Sequence, residues 1–159
     1  MKKILSIIAC MLICLNMQAG DKVKYRSQGM LFSYTILLQN NQKYIVVSME
    51  TSQQAFAQPS ILMFKTFEDD VIKMEGTVVD DKNSNGGVMV SGIFVPISVR
   101  TFIAQFKISD EEVELLRKGI KKVRLTTLPK QHEKVFSKDK LGVKLYNMFV
   151  NAQEKQNDF

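Results

Sequence analysis

The chain has 159 residues, of which 45% are hydrophobic and 24% are charged, and its formal net charge at pH 7 is +6. This composition is typical of a basic globular protein, and it excludes a disordered chain, a collagen-like repeat and a disulfide-dense mini-protein. The sequence contains one histidine, two cysteines and no tryptophan, which limits the chemistry that it can support.

Residues 1–19 have the three-part pattern of a secretory signal peptide. A basic start is followed by the apolar run of residues 4–15, which is too short to span a bilayer, and then by a polar stretch that ends at the small residue Ala19. We therefore predict cleavage after Ala19, export to the periplasm or the extracellular space, and a mature chain without a transmembrane segment. The alternative is a lipoprotein anchored at Cys10, because residues 7–10 resemble a lipobox.

Residues 20–159 are predicted to form a single domain, since their number is typical of one hydrophobic core. Both cysteines, Cys10 and Cys14, lie in the predicted signal peptide, so the mature chain has no thiol. Cysteine nucleophiles, cysteine-ligated zinc and iron–sulfur clusters are therefore excluded for the mature chain, and we predict no cofactor.

The first part of the domain is predicted to be rich in β-strands, because apolar and polar residues alternate there. The strand candidates are residues 31–38, 43–49, 61–67, 71–79, 88–99, 101–108 and 120–127. The first four form two predicted hairpins, the second of them around the acidic turn at residues 68–70. Pro96 lacks a backbone donor and is expected to mark a sheet edge or a break in its strand.

Two helices are predicted in the C-terminal half. The first begins at a capping box formed by Ser109 and Glu112 and ends at Gly119. The second runs from about residue 138 to residue 152, with Ser137 as its N-cap and one apolar face. Strands followed by helices predict an α+β domain, in which a mainly antiparallel sheet forms a sandwich or a partly closed barrel.

Residues 59–79 and 102–125 are similar to segments of small exported bacterial proteins of unknown function. The first segment combines an apolar strand, an acidic turn and a second strand, and the second combines a strand, a capped helix and a basic strand. The resemblance implies an exported protein with a β-rich fold, and it implies neither an activity nor any site residue.

Residues 81–86, with the sequence Asp-Lys-Asn-Ser-Asn-Gly, match the first six positions of a calcium-binding loop. Asp81, Asn83 and Asn85 would supply the oxygen ligands. The twelfth position, which normally carries a bidentate glutamate, is Gly92. We therefore predict a surface hairpin loop here and no metal site, with low-affinity calcium binding as the alternative.

The motifs of nucleophilic catalysis are incomplete. Residues 137–140 have the S-x-x-K spacing of penicillin-binding proteins, but the accompanying S-D-N and K-T-G elements are missing. His132 is the only imidazole, no G-x-S-x-G motif accompanies it, and its polar neighbours predict a surface position. We predict no catalytic residue and no enzymatic activity. The alternative is a small extracytoplasmic hydrolase using carboxylates that the sequence does not single out.

Positive charge is concentrated near the C-terminus. Residues 117–159 carry eleven Lys/Arg and four Asp/Glu residues, a net charge of +7. Four residues, Lys122, Arg124, Lys130 and Lys134, are predicted to bind an anionic envelope glycan, an anionic lipid or an acidic protein. Export and the lack of RNA-binding or zinc-finger motifs argue against a nucleic acid as the partner. The sequence thus predicts an exported, non-enzymatic binding or structural domain.

Overall fold

Ten β-strands and two α-helices make up the part of the chain that the computed structural model describes, residues 21–52 and 54–157. The strands are β1 (Val23–Ser27), β2 (Met30–Gln39), β3 (Gln42–Thr51), β4 (Ala55–Phe56), β5 (Ser60–Thr66), β6 (Val71–Val90), β7 (Ile93–Ile108), β8 (Ile120–Leu125), β9 (Thr127–Leu128) and β10 (His132–Val135). The helices are α1 (Asp110–Leu115), which continues as a 3₁₀ turn over Leu116–Lys118, and α2 (Gly142–Asn157).

Eight strands form one antiparallel sheet in the order β1-β2-β3-β7-β6-β5-β8-β10, and β4 pairs with β9 separately. The alternation of side chains along each strand turns one apolar set toward the interior of this sheet. Phe32 and Tyr34 in β2 and Ile45 and Val47 in β3 are 0% exposed. Burial of one such side chain contributes about 1.5–3 kcal/mol of hydrophobic free energy, and a single cluster of them fills the interior.

The sheet curls until its two edge strands, β1 and β10, meet through side chains. The hydroxyl of Tyr25 in β1 lies 3.2 Å from Nε2 of His132 in β10. The His132 ring also stacks on Phe32 at a centroid distance of 4.0 Å. The result is a nearly closed barrel, so the prediction of an α+β domain with a mainly antiparallel, partly closed sheet and two helices in the C-terminal half is confirmed.

The first predicted helix is confirmed, including its cap. The Ser109 hydroxyl accepts a hydrogen bond from the backbone N–H of Glu112, and the Glu112 carboxylate accepts one from the backbone N–H of Ser109. Gly119 follows the 3₁₀ turn with a φ of 73°, where a Cβ would lie 2.9 Å from the Cβ of Asp139. Glycine is therefore required at this position for both backbone conformation and space.

The second helix begins at Gly142, not near residue 138, and the expectation that Ser137 caps it is wrong. The carboxylate of Asp139 accepts hydrogen bonds from the backbone N–H groups of residues 141–143. Burial raises the pKa of Asp139, but these donors and one from β8 together hold it below its usual value. Asp139 takes the capping role because its two oxygens satisfy several donors at once.

The two predicted hairpins are confirmed as β2–β3 and as β5 with the start of β6. The division of residues 88–108 into two strands is wrong, because residues 93–108 form the single strand β7 and residues 88–90 belong to β6. Pro96 lies where β7 pairs with β6 alone, so its predicted position at a sheet edge is confirmed.

The predicted signal peptide and the alternative lipid anchor at Cys10 lie outside the described residues. Within residues 21–52 and 54–157, no helix is both long and apolar enough to cross a membrane.

Candidate functional site

The distal half of the β6–β7 hairpin projects out of the barrel as a two-stranded ribbon. The pairing of β6 with β5 ends at Gly76, and the pairing of β7 with β3 ends at Arg100. Residues 84–99, which we call the arm, therefore have no neighbour but each other within the described sheet. Seven residues per strand at about 3.3 Å each give the arm a length of about 23 Å.

The arm is uncharged and apolar. None of its residues is Asp, Glu, Lys or Arg. Seven of the thirteen exposed large apolar side chains in the described residues belong to it, with exposed fractions of 41–68%. They are Val88, Met89, Val90, Ile93, Phe94, Val95 and Ile97. An apolar cluster of this kind on a protein surface is typical of an interaction site, whereas single exposed apolar residues are common.

Both faces of the arm are apolar near its tip. Directly paired residues of an antiparallel ribbon share a face. One face, which we call the valine face, carries five β-branched side chains: Val88, Val90, Ile93, Val95 and Ile97. On the other face Met89 pairs with Phe94, whose ring lies over Gly87, where a Cβ would come within 2.2 Å of it. A side chain at position 87 would displace the Phe94 ring from this position.

The two edges of the arm differ in their capacity to accept another strand. The turn residues Ser91 and Gly92 have φ values of 51° and 81°, which is the geometry of a two-residue hairpin turn. Hydrogen-bonded and non-hydrogen-bonded pairs then alternate from Val90 and Ile93 downward. The residues whose backbone groups point away from the ribbon are Asn85, Gly87 and Met89 on β6 and Phe94, Pro96 and Ser98 on β7.

Pro96 has no backbone N–H, so it interrupts the row of donors along the outer edge of β7. The outer edge of β6 has no such interruption, and the side chains along it are uncharged from Asn83 to Val90. Charged residues and prolines are the usual means by which proteins prevent strand addition at an edge. The arm therefore presents one blocked edge and one open edge.

The predicted surface loop at residues 81–86 is wrong, because these residues lie in β6 and pair with β7. Asp81, Asn83 and Asn85 occupy alternate positions of an extended strand, about 6.6 Å apart, whereas calcium ligands converge to within about 2.6 Å of the ion. The Asp81 carboxylate is paired with Arg100 at 2.8 Å. No group of three or more His, Cys, Asp or Glu residues in the described chain is placed to hold a metal ion.

The four basic residues predicted to bind an anion do not form one cluster. Lys122 and Arg124 lie together on the outer face of β8, where both contact Glu133, at 2.7 and 2.9 Å. Hydrogen bonds from these two cations lower the pKa of Glu133. Lys134 lies on the same face of β10 as His132, opposite the face that carries Glu133. Lys130 is exposed in the segment between β9 and β10.

Lys65 joins Lys122 and Arg124 because β5 lies beside β8, with Lys65 directly opposite Lys122. Together they border a shallow groove of about 260 Å³, which we call the basic groove. Its lining residues are Met63, Phe64, Lys65, Val71, Lys122 and Arg124. Lys65 is not identifiable from the sequence, because its place in the basic groove depends on the pairing of strands far apart in the chain.

His132 is buried, and the expectation of a surface position is wrong. Its side chain is 0% exposed, and Nδ1 has no hydrogen-bond partner among the described residues. Burial, with a smaller contribution from Lys134, lowers the pKa of His132 to about 4. The hydroxyl of Tyr25 lies between His132 and the hydroxyl of Tyr34, at 3.2 and 2.9 Å. His132 thus closes the barrel as a neutral, aromatic side chain.

Comparison of the chain with protein families, with curated proteins and with solved structures finds no match. Among the features described above, the arm is the strongest candidate for a binding site, because its large apolar side chains are exposed to water.

Proposed function

We propose that this protein is an exported, non-enzymatic binding module that docks a partner protein through its arm. The observation that carries the proposal is the exposure of seven large apolar side chains on an arm without charge. Complete burial of one such side chain is worth about 1.5–3 kcal/mol. A partner that covers the arm therefore gains several kcal/mol toward association.

The edges of the arm favour a protein over a lipid bilayer as the partner. In hydrocarbon, the outward backbone groups of a two-stranded ribbon would have no hydrogen-bond partners. The charged residues at the base of the arm pair with each other, Lys82 with Asp80 at 3.0 Å and Arg100 with Asp81 at 2.8 Å, so they give no excess positive charge for anionic headgroups. A protein partner can supply both apolar contacts and backbone hydrogen bonds.

The grooves on the barrel surface support binding more than hydrolysis. A glycoside hydrolase needs two carboxyl groups on either side of its substrate. The groove of about 440 Å³ between β2 and α2 is lined by one carboxylate, that of Asp21, together with the ammonium group of Lys155 and with hydroxyl, amide and aliphatic side chains. The basic groove contains no carboxylate.

The proposal is tested by photo-crosslinking in cells that produce the protein. A photoreactive amino acid replaces Val90 on the β6 strand of the arm or, as the control, Lys73 on the outer face of the barrel, both of which are exposed. We expect position 90 to give one adduct of defined mass, which is lost when Val88→Lys is added to the arm. Position 73 should not give that adduct.

Absence of an adduct from position 90 of a folded, exported protein would contradict the proposal. So would the same adduct from both positions, since the partner would then not be bound by the arm.

A second candidate function is binding of an anionic envelope component in the basic groove. The supporting observation is that Lys65, Lys122 and Arg124 line the groove together with Met63 and Val71, a combination suited to a ligand with both charged and apolar parts. Glu133 neutralises part of this charge, so the groove is a weaker candidate than the arm.

A further inference from the structure

We propose that the partner of the arm is a second copy of this chain, and that two arms join along their β6 edges into one four-stranded antiparallel sheet. This inference rests on the proposed docking function of the arm and names its partner.

The single open edge of the arm determines how many copies can join. A ribbon with two open edges could add strands on both sides and grow without limit. Here Pro96 interrupts the donors on the β7 edge, and only the β6 edge is uninterrupted. When two β6 edges pair, the outer edges of the new sheet are both β7 edges, so the assembly closes at two copies.

The β6 edge is complementary to itself. Two identical strands related by a two-fold axis run antiparallel, as an isologous interface requires. Antiparallel pairing centred on Gly87 places Asn85 opposite Met89 of the partner subunit, with no charged residue on either side. Gly87 itself has no side chain at the axis, so the two backbones can approach without steric conflict.

The length of the arm separates the two barrels electrostatically. The predicted mature chain, residues 20–159, has 20 Lys/Arg and 16 Asp/Glu residues and thus a net charge of +4, so two copies repel each other. The arm extends about 23 Å beyond the sheet, whereas charge is screened over about 8 Å at physiological ionic strength. The charged pairs at the base of the arm, Asp80 with Lys82 and Asp81 with Arg100, add no net charge to the junction.

Pairing of the arms also extends their apolar surface. The two valine faces become neighbours in one sheet, because the register centred on Gly87 places Val88 beside Gly86 of the partner subunit and diagonal to the partner's Val88. Val95 and Ile97 lie on the outer strand, away from the junction. We therefore expect substitutions on β6 to weaken association more than substitutions on β7.

The test compares two proline substitutions by analytical ultracentrifugation of the exported protein over a range of concentrations. Met89→Pro removes an outward N–H from the β6 edge, and Ser98→Pro is the matched control because it removes one from the β7 edge. Neither N–H is used within the arm. We expect the parent protein and Ser98→Pro to form dimers, and Met89→Pro to raise the dimer dissociation constant at least about tenfold.

A variant with a shortened arm tests whether local misfolding, and not the loss of edge pairing, causes any loss of dimers in Met89→Pro. Deletion of residues 85–90 and 93–98 joins Ser84 to Val99 through the original turn, Ser91 and Gly92, and leaves the pairing within the barrel intact. This variant should be monomeric and should have the same near-ultraviolet circular dichroism as the parent. Dimers that survive Met89→Pro, or that survive the shortened arm, would overturn the inference.

The two proposals fail in distinguishable ways. A parent protein that stays monomeric, while position 90 still gives an adduct with a different protein in cells, overturns the second copy as the partner and leaves the docking function of the arm in place. A monomeric protein that gives no adduct overturns both.

Discussion

The two halves of the β6–β7 hairpin have similar apolar content and opposite environments. In the proximal half β6 lies beside β5 and β7 lies beside β3, and the inward side chains of Ile72, Met74 and Phe106 are at most 2% exposed. In the distal half the same two strands have no further neighbours, and Phe94 is 62% exposed. Alternating apolar residues therefore adopt a strand in both halves. Their apolar face is buried only in the proximal half, where other strands lie on both sides.

The largest expected difference between the halves is in stability, and β7 offers a matched pair of phenylalanines. Phe106 is 0% and Phe94 is 62% exposed. We expect Phe106→Ala to lower the free energy of unfolding by about 3–5 kcal/mol, because it leaves a cavity in the core. Phe94→Ala should change it by less than about 0.5 kcal/mol. Urea unfolding, at protein concentrations too low for association, measures both.

Similar losses for the two variants would contradict this contrast, because they would show that the arm packs against the barrel. Met89→Ala, next to Phe94 on the arm, serves as the second exposed control.

A smaller difference is expected in the response to acid, since the barrel contains a buried histidine and the arm has no ionisable side chain. The pKa of His132 is about 4 in the folded protein and 6.5 when unperturbed. The unfolded chain therefore binds the proton first as the pH falls. The contribution of neutral His132 to the free energy of unfolding is therefore fully present above pH 6.5. It is lost as the pH falls from 6.5 to 4, by up to about 3 kcal/mol.

His132→Phe isolates this contribution, because phenylalanine keeps a ring against Phe32 and does not titrate. Urea unfolding between pH 4 and 7 should show a shallower decline for the variant than for the parent. Curves of equal slope would show that His132 is not the group responsible. Association through the arm should be unchanged over the upper part of this range, where the barrel remains folded.

Much of the fold could be predicted from local patterns. The alternation in residues 31–38 and 43–49 is long enough to establish β2 and β3, and the capping box at Ser109 locates α1 within one residue. These elements are determined by interactions between residues near each other in sequence, which a sequence displays directly. The predicted start of α2 was wrong because Ser137 and Asp139 are both good capping residues, and only the tertiary structure decides between them.

The candidate site was missed for the opposite reason. The pattern of residues 81–86 resembles a loop, but these residues are held in β6 by their pairing with β7. His132 looked exposed because its neighbours are polar, yet in the short edge strand β10 alternation turns its side chain inward. The apolar run of residues 88–97 indicated strands, and nothing within it revealed that no third strand covers it.

The smallest expected effects concern the basic groove, where the barrel offers a charged surface in contrast to the uncharged arm. Solvent screens exposed ion pairs such as those of Glu133, so they contribute little to stability and substitutions here should leave folding intact. Lys122→Glu/Arg124→Glu should weaken binding to anionic phospholipid vesicles at least about tenfold, at roughly 1 kcal/mol for each basic residue near the surface. Glu133→Gln is the matched control: it removes the neutralising carboxylate and should strengthen binding.

Because charge is screened over about 8 Å at physiological salt, binding by the parent protein should weaken as salt is raised. Vesicle co-sedimentation at low and high salt measures all three proteins, and salt-independent binding, or full binding by the folded double variant, would eliminate the groove and leave the arm as the one proposed site.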